Sequence, residues 1–512
     1  MPEIALEMKN ITKRFPLVVA NDKVNFTVYK GEVHALVGEN GAGKSTLMSI
    51  LYGLYQADSG QIFINGKKVN IANPKIAINL KIGMVHQHFM LIPPLTVTEN
   101  IILGMEPRIN NIFIDMDKAI QKVEELSENM GFKIDPQAKI ENISVGIQQR
   151  VEIIKVLFRG AEILVMDEPT AVLTPQEIEE LFEILRSLKK QGKTLIFITH
   201  KLDEVKALSD RVTVMRRGKV AGVKNTRDTN QEEIANMMVG RKVIFKIEKN
   251  PLNPGKTALK VEKLEALNNK GLPAVKNLSF EIKEGEILGF AGVEGNGQTE
   301  LVEVMTGLRK ASSGKIFLNN QDITDDSPRS IREDKIAHIP EDRRQRGIIL
   351  NYTVAENLIL GNHYRPPFNN GLSLNFNNIN NHANKLIKDF DIRPTDKDNL
   401  LKSLSGGNQQ KVIVAREFYG EPILLIAAQP TRGLDVGSTE FVHKQLLSER
   451  DKGKAILLVS ADLEEILSLS DRIAVIYEGK IVDILDTQKT DEKELGLLMT
   501  GSALNKKLQK VR

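Results

Sequence analysis

The sequence predicts an α/β protein with two tandem domains. Three observations predict this fold: a series of motifs that occurs twice along the 512 residues, short apolar runs that alternate with amphipathic segments, and a glycine-rich loop between an apolar run and a helix pattern. Alternation of strand and helix patterns is typical of an α/β fold with a mostly parallel sheet. Copies of about 250 residues are far longer than solenoid repeats, so each copy is expected to fold as a domain.

The two copies align at two different offsets. Segment 33–47 matches 287–301 at an offset of 254 residues. The later matches all have an offset of 261, which places seven extra residues of the second copy between positions 341 and 405. The stretch 363–381 is rich in Asn and Pro, so it is predicted to be a loop that contains the extra residues. The pairs at the larger offset are 144–153 with 405–414, 166–170 with 427–431, 209–220 with 470–481, and 236–240 with 497–501.

Local signals predict individual elements and the limits of the copies. Segment 59–69 is predicted to be a strand hairpin turned by Asn65-Gly66, and 116–132 a helix stopped by Gly131. The Pro-, Gly- and Lys-rich stretch between the copies is predicted to be a short linker. The predicted boundaries are 1–245 for the first domain, 246–256 for the linker, 257–501 for the second domain, and 502–512 for a basic C-terminal tail.

Composition and charge exclude several functional classes. Hydrophobic residues make up 41% of the chain and charged residues 27%, an ordinary globular composition. The 70 basic and 66 acidic residues nearly balance, so no nucleic-acid partner is expected. The chain has no cysteine, which excludes disulfides, thiolate metal sites and cysteine nucleophiles. No signal peptide and no membrane-spanning segment are predicted, so any transport role requires separate membrane subunits.

The glycine-rich loop of the first copy fits the phosphate-binding pattern G-x-x-x-x-G-K-[ST]. Its glycines allow successive backbone N–H groups to point at phosphate oxygens, and the helix that follows favours anions at its N-terminus. Lys44 can reach the β- and γ-phosphates, and the Ser45 hydroxyl can ligate Mg²⁺. The predicted ATP-binding residues of this loop are Gly38, Glu39, Asn40, Gly41, Ala42, Gly43, Lys44, Ser45 and Thr46.

An acid pair follows the apolar run 163–166 of the first copy. Asp167 can hold Mg²⁺, directly or through water, and Glu168 can orient and deprotonate the attacking water. The alternative is an acid pair at a helix N-terminus before Pro169.

Three further residues of the first copy are candidates for the same site. His200 follows the apolar run 194–199 and is placed to contact the γ-phosphate. Gln87 ends a strand pattern and can touch both Mg²⁺ and the water that attacks phosphorus. Phe15 precedes the first core strands and can stack on adenine, with a place in the hydrophobic core as its alternative.

Together these residues resemble the ABC ATPase family. The family's signature motif is present at 404–408, Leu-Ser-Gly-Gly-Asn, and Ser405, Gly406 and Gly407 are expected to bind ATP. The resemblance implies that each copy has a RecA-like core, an antiparallel β subdomain and a helical subdomain. It also implies that the signature of one domain meets the ATP held by the other domain.

The two copies differ in which motifs they retain. Copy one has intact phosphate-binding and catalytic motifs but a weaker signature, in which Val145 and Ile147 replace a glycine and a polar residue. Copy two has an intact signature but has lost the other motifs. The family resemblance implies that each ATP site combines the phosphate loop of one copy with the signature of the other. Every loss then falls in the same one of the two sites, so one working ATPase site is expected. The copy-two replacements are Gln298 for Lys44, Ala428 for Asp167, Gln429 for Glu168, Ala461 for His200 and Glu341 for Gln87.

The resemblance implies an ATPase that powers import, with ATP and Mg²⁺ as cofactors. Fused copies with one degraded half resemble the ribose-type sugar importers and their relatives. The strings 427–438, 144–153 and 167–177 look more like the nucleoside importers, so a nucleoside is the expected cargo, with simple sugars and riboflavin-like compounds as alternatives. The expected partners are two transmembrane permease subunits and an extracytoplasmic substrate-binding protein or lipoprotein, and the expected location is the cytoplasmic face of the cell membrane.

Three other classes compete with the importer ATPase. Soluble tandem ABC proteins that act on ribosomes usually have two intact sites and a long charged linker, which this chain lacks. A nucleotide sensor without catalysis is disfavoured by the intact Lys44, Asp167, Glu168 and His200. An exporter is disfavoured because no transmembrane segment is fused to the chain, although exporters with separate subunits exist.

Overall fold

The chain divides into two compact units, residues 1–243 and 244–512. The computed structural model describes residues 2–16, 18–86, 89–110, 112–132, 134–170, 173, 175–242, 249–293 and 295–499. No helix in these ranges is both long and apolar enough to cross a lipid bilayer.

The first unit contains an antiparallel sheet, a larger mostly parallel sheet and a set of helices. Its described strands are β1 (Ile4–Phe15), β2 (Val18–Tyr29), β3 (Val33–Val37), β4 (Ser59–Ile64), β5 (Lys67–Val69), β6 (Ile82–Val85), β7 (Arg108–Ile109), β8 (Phe113–Ile114), β9 (Ile163–Asp167), β10 (Thr194–Thr199), β11 (Arg211–Arg216) and β12 (Lys219–Asn225). Its described helices are α1 (Lys44–Leu51), α2 (Pro74–Asn79), α3 (Val97–Ile102), α4 (Met116–Asn129), α5 (Val145–Phe158), α6 (Pro175–Lys190), α7 (Leu202–Leu208) and α8 (Gln231–Val239).

The order of the strands explains where a site can form in the first unit. The antiparallel sheet has the order β2-β1-β4-β5, and the larger sheet has the order β12-β11-β3-β10-β9-β6. All neighbours in the larger sheet are parallel except the edge strand β12. Every residue of β3, β9 and β10 is buried, as expected for parallel strands covered on both faces. Ligands of such sheets bind beyond the carboxyl ends of the strands.

The second unit repeats this architecture. Its described strands are β13 (Thr257–Leu267), β14 (Pro273–Lys283), β15 (Ile287–Ala291), β16 (Ser313–Leu318), β17 (Gln321–Asp322), β18 (Ile336–Ile339), β19 (Leu424–Ala428), β20 (Ala455–Ser460), β21 (Arg472–Tyr477) and β22 (Lys480–Asp486). Its described helices are α9 (Gln298–Met305), α10 (Pro328–Glu333), α11 (Val354–Leu358), α12 (Phe376–Asp389), α13 (Gly406–Tyr419), α14 (Val436–Asp451), α15 (Leu463–Leu469) and α16 (Glu492–Met499). The sheets have the orders β14-β13-β16-β17 and β22-β21-β15-β20-β19-β18, which match those of the first unit strand for strand.

Helices outside the sheets form a third layer of each unit. In the first unit α3, α4 and α5 pack on one another, and in the second unit α11 packs on α12 and α13. The expectation of two tandem ABC-type domains, each with a RecA-like core, an antiparallel β subdomain and a helical subdomain, is confirmed. The predicted limits of domains, linker and tail stay predictions, since residues 243–248 and 500–512 lie outside the described residues.

Two local predictions are confirmed. Strands β4 and β5 pair antiparallel, and the turn residues Asn65 and Gly66 have φ of 48° and 75°, as a two-residue hairpin turn requires. Helix α4 ends at Asn129, and Gly131 follows with φ of 70°, the left-handed conformation typical of a residue after a helix.

The predicted loop at 363–381 is only partly correct. Helix α12 begins at Phe376, where the Asn375 side chain accepts a hydrogen bond from the Asn378 N–H, so Asn residues that suggested a loop in fact cap and build a helix. The extra residues of the second copy are also spread out. Helices α3 and α11 begin 257 residues apart, at Val97 and Val354, so three of the seven extra residues precede α11.

Candidate active site

The phosphate loop of the first unit joins β3 to α1, as its sequence predicts. Gly41 and Gly43 have φ of 81° and 96°, and Gly43 is the residue that precedes α1. A Cβ on Gly43 would collide with the carbonyl oxygen of Ala20, so this position requires glycine. The Asn21 side chain donates to the Gly43 carbonyl at 3.0 Å and fixes the loop from the neighbouring strand.

Lys44 is the first residue of α1, and its side chain turns back into the loop. Its Nζ donates to the carbonyl oxygens of Gly38 at 2.7 Å and Glu39 at 3.1 Å, and the residue is only 5% exposed. A buried ammonium group beside backbone N–H groups of a helix N-terminus forms a strongly anion-binding environment.

The oxygen ligands proposed for a metal lie next to one another. Ser45 Oγ is 3.5 Å from Asp167 Oδ1, at the carboxyl ends of β3 and β9. Burial raises the pKa of Asp167, and the hydrogen bond from Ser45 acts in the opposite direction. Hydroxyl and carboxylate oxygens are ligands that Mg²⁺ prefers, and Mg²⁺ normally takes one or two protein ligands and completes its shell with phosphate and water. These two residues therefore fit the metal.

Glu168 and His200 form a hydrogen-bonded pair. His200 Nδ1 lies 3.1 Å from Glu168 Oε1, because β9 and β10 are parallel neighbours that end at the same edge. The hydrogen bond from His200 lowers the pKa of Glu168, although burial opposes this shift. Glu168 therefore stays ionised at neutral pH, in the form that can accept a proton. The alternative assignment of the acid pair to a helix N-terminus is not supported, since α6 begins only at Pro175.

A buried carboxylate holds the two strand ends in place. Glu204 Oε1 accepts a hydrogen bond from Thr170 at 2.5 Å, and Glu204 Oε2 accepts one from Thr199 at 2.7 Å. Thr170 follows Glu168 by two residues and Thr199 precedes His200, so this carboxylate fixes the backbone on both sides of the pair.

Phe15 lies at the end of β1 with an exposed ring. It is 37% exposed, which does not support its alternative as a core residue. Its ring meets Tyr55 edge to face at 5.5 Å between centroids, and Lys13 Nζ lies 5.6 Å from its centroid. The side chain of Gln87, the remaining predicted site residue of this unit, lies outside the described residues.

The signature motif forms the start of α13. Ser405 precedes the helix, and its side chain accepts hydrogen bonds from the Asn408 N–H at 3.5 Å and the Asn408 side chain at 3.0 Å. Gly406 and Gly407 are the first helical residues, so their N–H groups lie at the positive end of the helix. We refer to Ser405, Gly406 and Gly407 as the signature end.

The second unit has the same backbone conformation at this site but lacks the charged and metal-ligating side chains. Gln298 begins α9 after Gly297, whose φ of 98° matches that of Gly43. Gln429 accepts a hydrogen bond from the Ala461 N–H at 3.3 Å, where the first unit has a carboxylate and a histidine. Ala428 at the end of β19 offers no oxygen ligand.

Sequence reasoning missed Asn21 and Tyr55. Asn21 supports a loop residue 22 positions away, and Tyr55 contacts a ring 40 positions away. Comparison of the two copies could have pointed to Tyr55, because Arg309 stands at the equivalent position of the second unit. The Arg309 guanidinium donates to Asn269 Oδ1 at 2.7 Å. Asn268 stands at the position of Phe15, so the second unit lacks the aromatic pair.

Comparison with known proteins places both copies in one family. The family model described as ABC transporter matches residues 21–171 and 275–432. The nucleoside import ATP-binding protein NupA of Lactococcus lactis is 52% identical over 98% of this chain and 99% of the relative. The guanosine import ATP-binding protein NupO of Bacillus subtilis is 53% identical over 98% of both chains. The glucose import ATP-binding protein TsgD13 of Haloferax volcanii is 43% identical over 97% of this chain and 96% of the relative.

Proposed function

Because the chain belongs to the ABC transporter family of ATP-binding proteins, we propose that it powers the import of a nucleoside across a cell membrane. As a member of this family it binds ATP and is an ATPase. The nucleoside cargo is supported by two relatives with slightly more than half of their residues identical, one named for nucleoside import and one for guanosine import. The glucose importer is less similar, at 43%, so sugar import is the second candidate.

The observation that carries the catalytic assignment is the meeting of four side chains at one sheet edge. The carboxyl ends of β3, β9 and β10 bring together Ser45, Asp167, Glu168 and His200, with Lys44 buried beside them. A cation, two oxygen ligands and a hydrogen-bonded base are the groups that phosphoryl transfer to water requires.

We assign roles to these residues from their contacts. Lys44 neutralises the β- and γ-phosphates, with the N–H groups of residues 38–46 around them. Glu168 orients the attacking water and accepts its proton, while His200 holds the Glu168 carboxylate and reaches the γ-phosphate. Ser45, Asp167 and Gln87 would hold Mg²⁺, which supplies charge neutralisation between the β- and γ-phosphates when bound. Phe15 stacks on adenine.

We propose that the signature end of the second unit completes this ATP site. Its helix N-terminus and the Ser405 hydroxyl supply donors for the γ-phosphate. The pairing follows from the family resemblance, and the losses of Lys44, Asp167, Glu168 and His200 equivalents in copy two support it. One composite site is then competent, and the other is not.

The proposed setting is the cytoplasmic face of the cell membrane. The relatives are named as ATP-binding proteins of import systems, and the described helices include no candidate membrane span. We propose two transmembrane permease subunits and an extracytoplasmic binding protein or lipoprotein as partners, with no nucleic-acid partner.

The ATPase assignment is tested with matched variants of the two phosphate loops. Lys44→Ala should reduce Mg²⁺-dependent ATP turnover of the purified chain to background, because the phosphates lose their buried cation. Gln298→Ala, at the same position in the second loop, should leave turnover within about twofold, since no charge is lost. Equal losses from both variants would contradict the assignment of catalysis to the first unit.

The cargo is tested in cells that express the chain with its co-purifying permeases. Labelled guanosine and labelled ribose are offered separately, and uptake is compared between the wild type and Glu168→Gln. Nucleoside uptake that requires an intact Glu168 supports the proposal. Uptake of ribose alone would replace it with the sugar alternative.

A further inference from the structure

A short turn distinguishes the second unit from the first. Residues Arg343–Gly347 form a single π-helical turn, and it falls in the segment before α11 that holds three of the extra residues. Asp342 fixes the turn, since its Oδ1 accepts hydrogen bonds from the N–H groups of Arg344 at 2.9 Å and Gln345 at 3.0 Å. These hydrogen bonds fix the backbone of the turn, and Arg343 is its first residue.

Arg343 lies against the signature end. Its Nη2 would be 2.8 Å from a Cβ built on Gly406, and its Nη1 donates to the Arg432 carbonyl oxygen at 2.9 Å. The guanidinium also lies near Gly433, about 4 Å from a Cβ built on that residue. A glycine at 406 thus leaves room for the guanidinium beside the first turn of α13.

The guanidinium is not paired with a carboxylate in the described part of the chain. Within that part, Arg343 has one hydrogen-bond partner, the Arg432 carbonyl oxygen, and no ion pair. The neighbouring carboxylate of Glu341 forms an ion pair with Arg432 instead, at 2.6 Å. The Arg343 Nε is buried and makes no hydrogen bond there. Arg343 is half-buried, so this cation has lost part of its hydration, and burial lowers its pKa. Remaining N–H donors of a poorly hydrated cation favour an anionic acceptor.

The weaker signature of the first unit has different surroundings. Val145 stands where Gly406 makes room for Arg343. A Cβ on Gly146 would collide with the Glu177 carboxylate, whereas the same position in the second unit, Gly407, faces the Ser438 hydroxyl. The second signature therefore has the Arg343 cation beside its helix N-terminus, together with the Ser438 hydroxyl and the Asp435 carboxylate, whereas the first has Val145 and the Glu177 carboxylate.

We propose that Arg343 is an ATP-contacting residue, which donates to the γ-phosphate of the nucleotide that docks on the signature end. This rests on the proposed function, in which that end completes the ATP site. Arg343 adds a positive charge to the helix N-terminus of the second signature, where the first unit has Val145 at the position of Gly406. The two units are thus distinguished by electrostatics around the signatures as well as by the loss of catalytic groups.

The test measures ATP and ADP affinity in a Glu168→Gln background, where hydrolysis is silent. Arg343→Gln should weaken binding of a fluorescent ATP about tenfold to a hundredfold, the usual effect of a hydrogen bond to a charged group, and should leave ADP affinity within about twofold. Arg344→Gln, on the same turn but exposed, is the matched control and should change neither affinity. A purely structural role of Arg343 would weaken ATP and ADP alike.

Unchanged ATP affinity of Arg343→Gln, or equal losses for ATP and ADP, would overturn the proposal. If Arg343→Gln lowers the melting temperature strongly, Arg343→Lys replaces it, since lysine keeps the charge but not the planar set of donors and should give a smaller loss of affinity that is still selective for ATP. Failure of the underlying function gives a different result, because Ser405→Arg in the same background would then leave ATP affinity unchanged, whereas it should weaken ATP binding if only the role of Arg343 is wrong.

Discussion

At the position of Glu168, the proposed catalytic base, both units hold the backbone in the left-handed region. Glu168 has φ of 47° and Gln429 has φ of 45°, a conformation that typically costs about 1–3 kcal/mol for a residue other than glycine. Each backbone N–H bonds to the next strand, with Glu168 donating to Ile198 at 3.0 Å and Gln429 to Val459 at 2.7 Å. Because the same backbone conformation occurs with either side chain, replacing the carboxylate by an amide removes the proton acceptor and leaves the local fold intact.

Glu168→Gln should therefore abolish steady-state hydrolysis and retain ATP binding. The amide cannot accept the proton of the attacking water, and a positioned base contributes typically about 10²–10⁴-fold in rate. Turnover is measured by phosphate release and binding by a fluorescent ATP analogue. Turnover within a few-fold of wild type would show that Glu168 is not the base.

His338 predicts a pH dependence of stability. It lies on β18, and burial lowers its pKa to about 4, with Arg346 and Arg416 acting in the same direction. The unfolded state, with an ordinary pKa of about 6.5, binds the proton more readily, so stability is full above pH 6.5 and is lost as pH falls towards 4. Between pH 7 and pH 5 this residue alone should cost about 2 kcal/mol of the free energy of unfolding.

His338→Met supplies the control, because Met84 stands at the same position of the first unit. Urea unfolding of both proteins is compared at pH 7 and pH 5. The variant should lose less stability than the wild type over this range. Identical losses would show that His338 does not titrate between folded and unfolded states as its burial indicates.

Among the elements, one of the two hydrogen bonds that hold the strand ends of the first unit is kept in the second, where Glu465 Oε2 has no hydrogen-bond partner in the described part of the chain. Thr431 donates to Glu465 at 2.8 Å, as Thr170 donates to Glu204 at 2.5 Å. This buried hydrogen bond fixes the backbone after β19 although the catalytic carboxylate next to it is absent. The second unit therefore retains part of this frame.

The helices that begin at the two signatures should respond differently to the same substitution. Ser405→Arg should abolish ATP turnover, because a bulky cation blocks the helix N-terminus that completes the competent site. Ser144→Arg, at the start of α5, should have a milder effect, since that helix belongs to the degraded site. Turnover of the two purified variants is compared with their melting temperatures as a control for folding. Equal losses of turnover would contradict a single working site.

Elements with local signals were predictable, and those made by distant contacts were not. The hairpin at Asn65-Gly66 and the phosphate loop before Lys44 depend on neighbouring residues, so their sequence patterns are sufficient. Helix α12 was missed because its Asn-rich start has low helix propensity, and the helix is stabilised by the packing of Ile379, Ala383 and Ile387 in the core. The contact of Arg343 with Gly406 spans 63 positions and depends on an inserted turn, which no local pattern indicates.

For the whole chain, the distribution of losses between the copies is more informative than any one motif. The second unit lacks the lysine of the phosphate loop, both acids, the histidine and an aromatic residue equivalent to Phe15, but it has the signature end and, in its inserted turn, the arginine beside it. Lys44, Asp167, Glu168 and His200 have different proposed roles, so no single replacement accounts for the inactivity that we propose for the second site.

Restoring one residue in the second loop should therefore fail to restore hydrolysis. Gln298 is 9% exposed and begins α9 after Gly297, so a lysine there would enter the loop as Lys44 does and return the charge that neutralises the β- and γ-phosphates. Ala428 still could not hold Mg²⁺, and Gln429 still could not accept a proton. Groups that act as a unit are strongly non-additive, so one repair gains little rate.

The measurement uses the Glu168→Gln background, in which the competent site is silent. ATP turnover and nucleotide occupancy are determined with and without Gln298→Lys. Occupancy should rise or stay level, because attraction between lysine and phosphate does not depend on the base, while turnover stays near background. Hydrolysis at the wild-type rate would show that one residue separated the second site from competence. The loss of its acids and histidine would then have no catalytic consequence, and the assignment of the same groups in the first unit would fail with it.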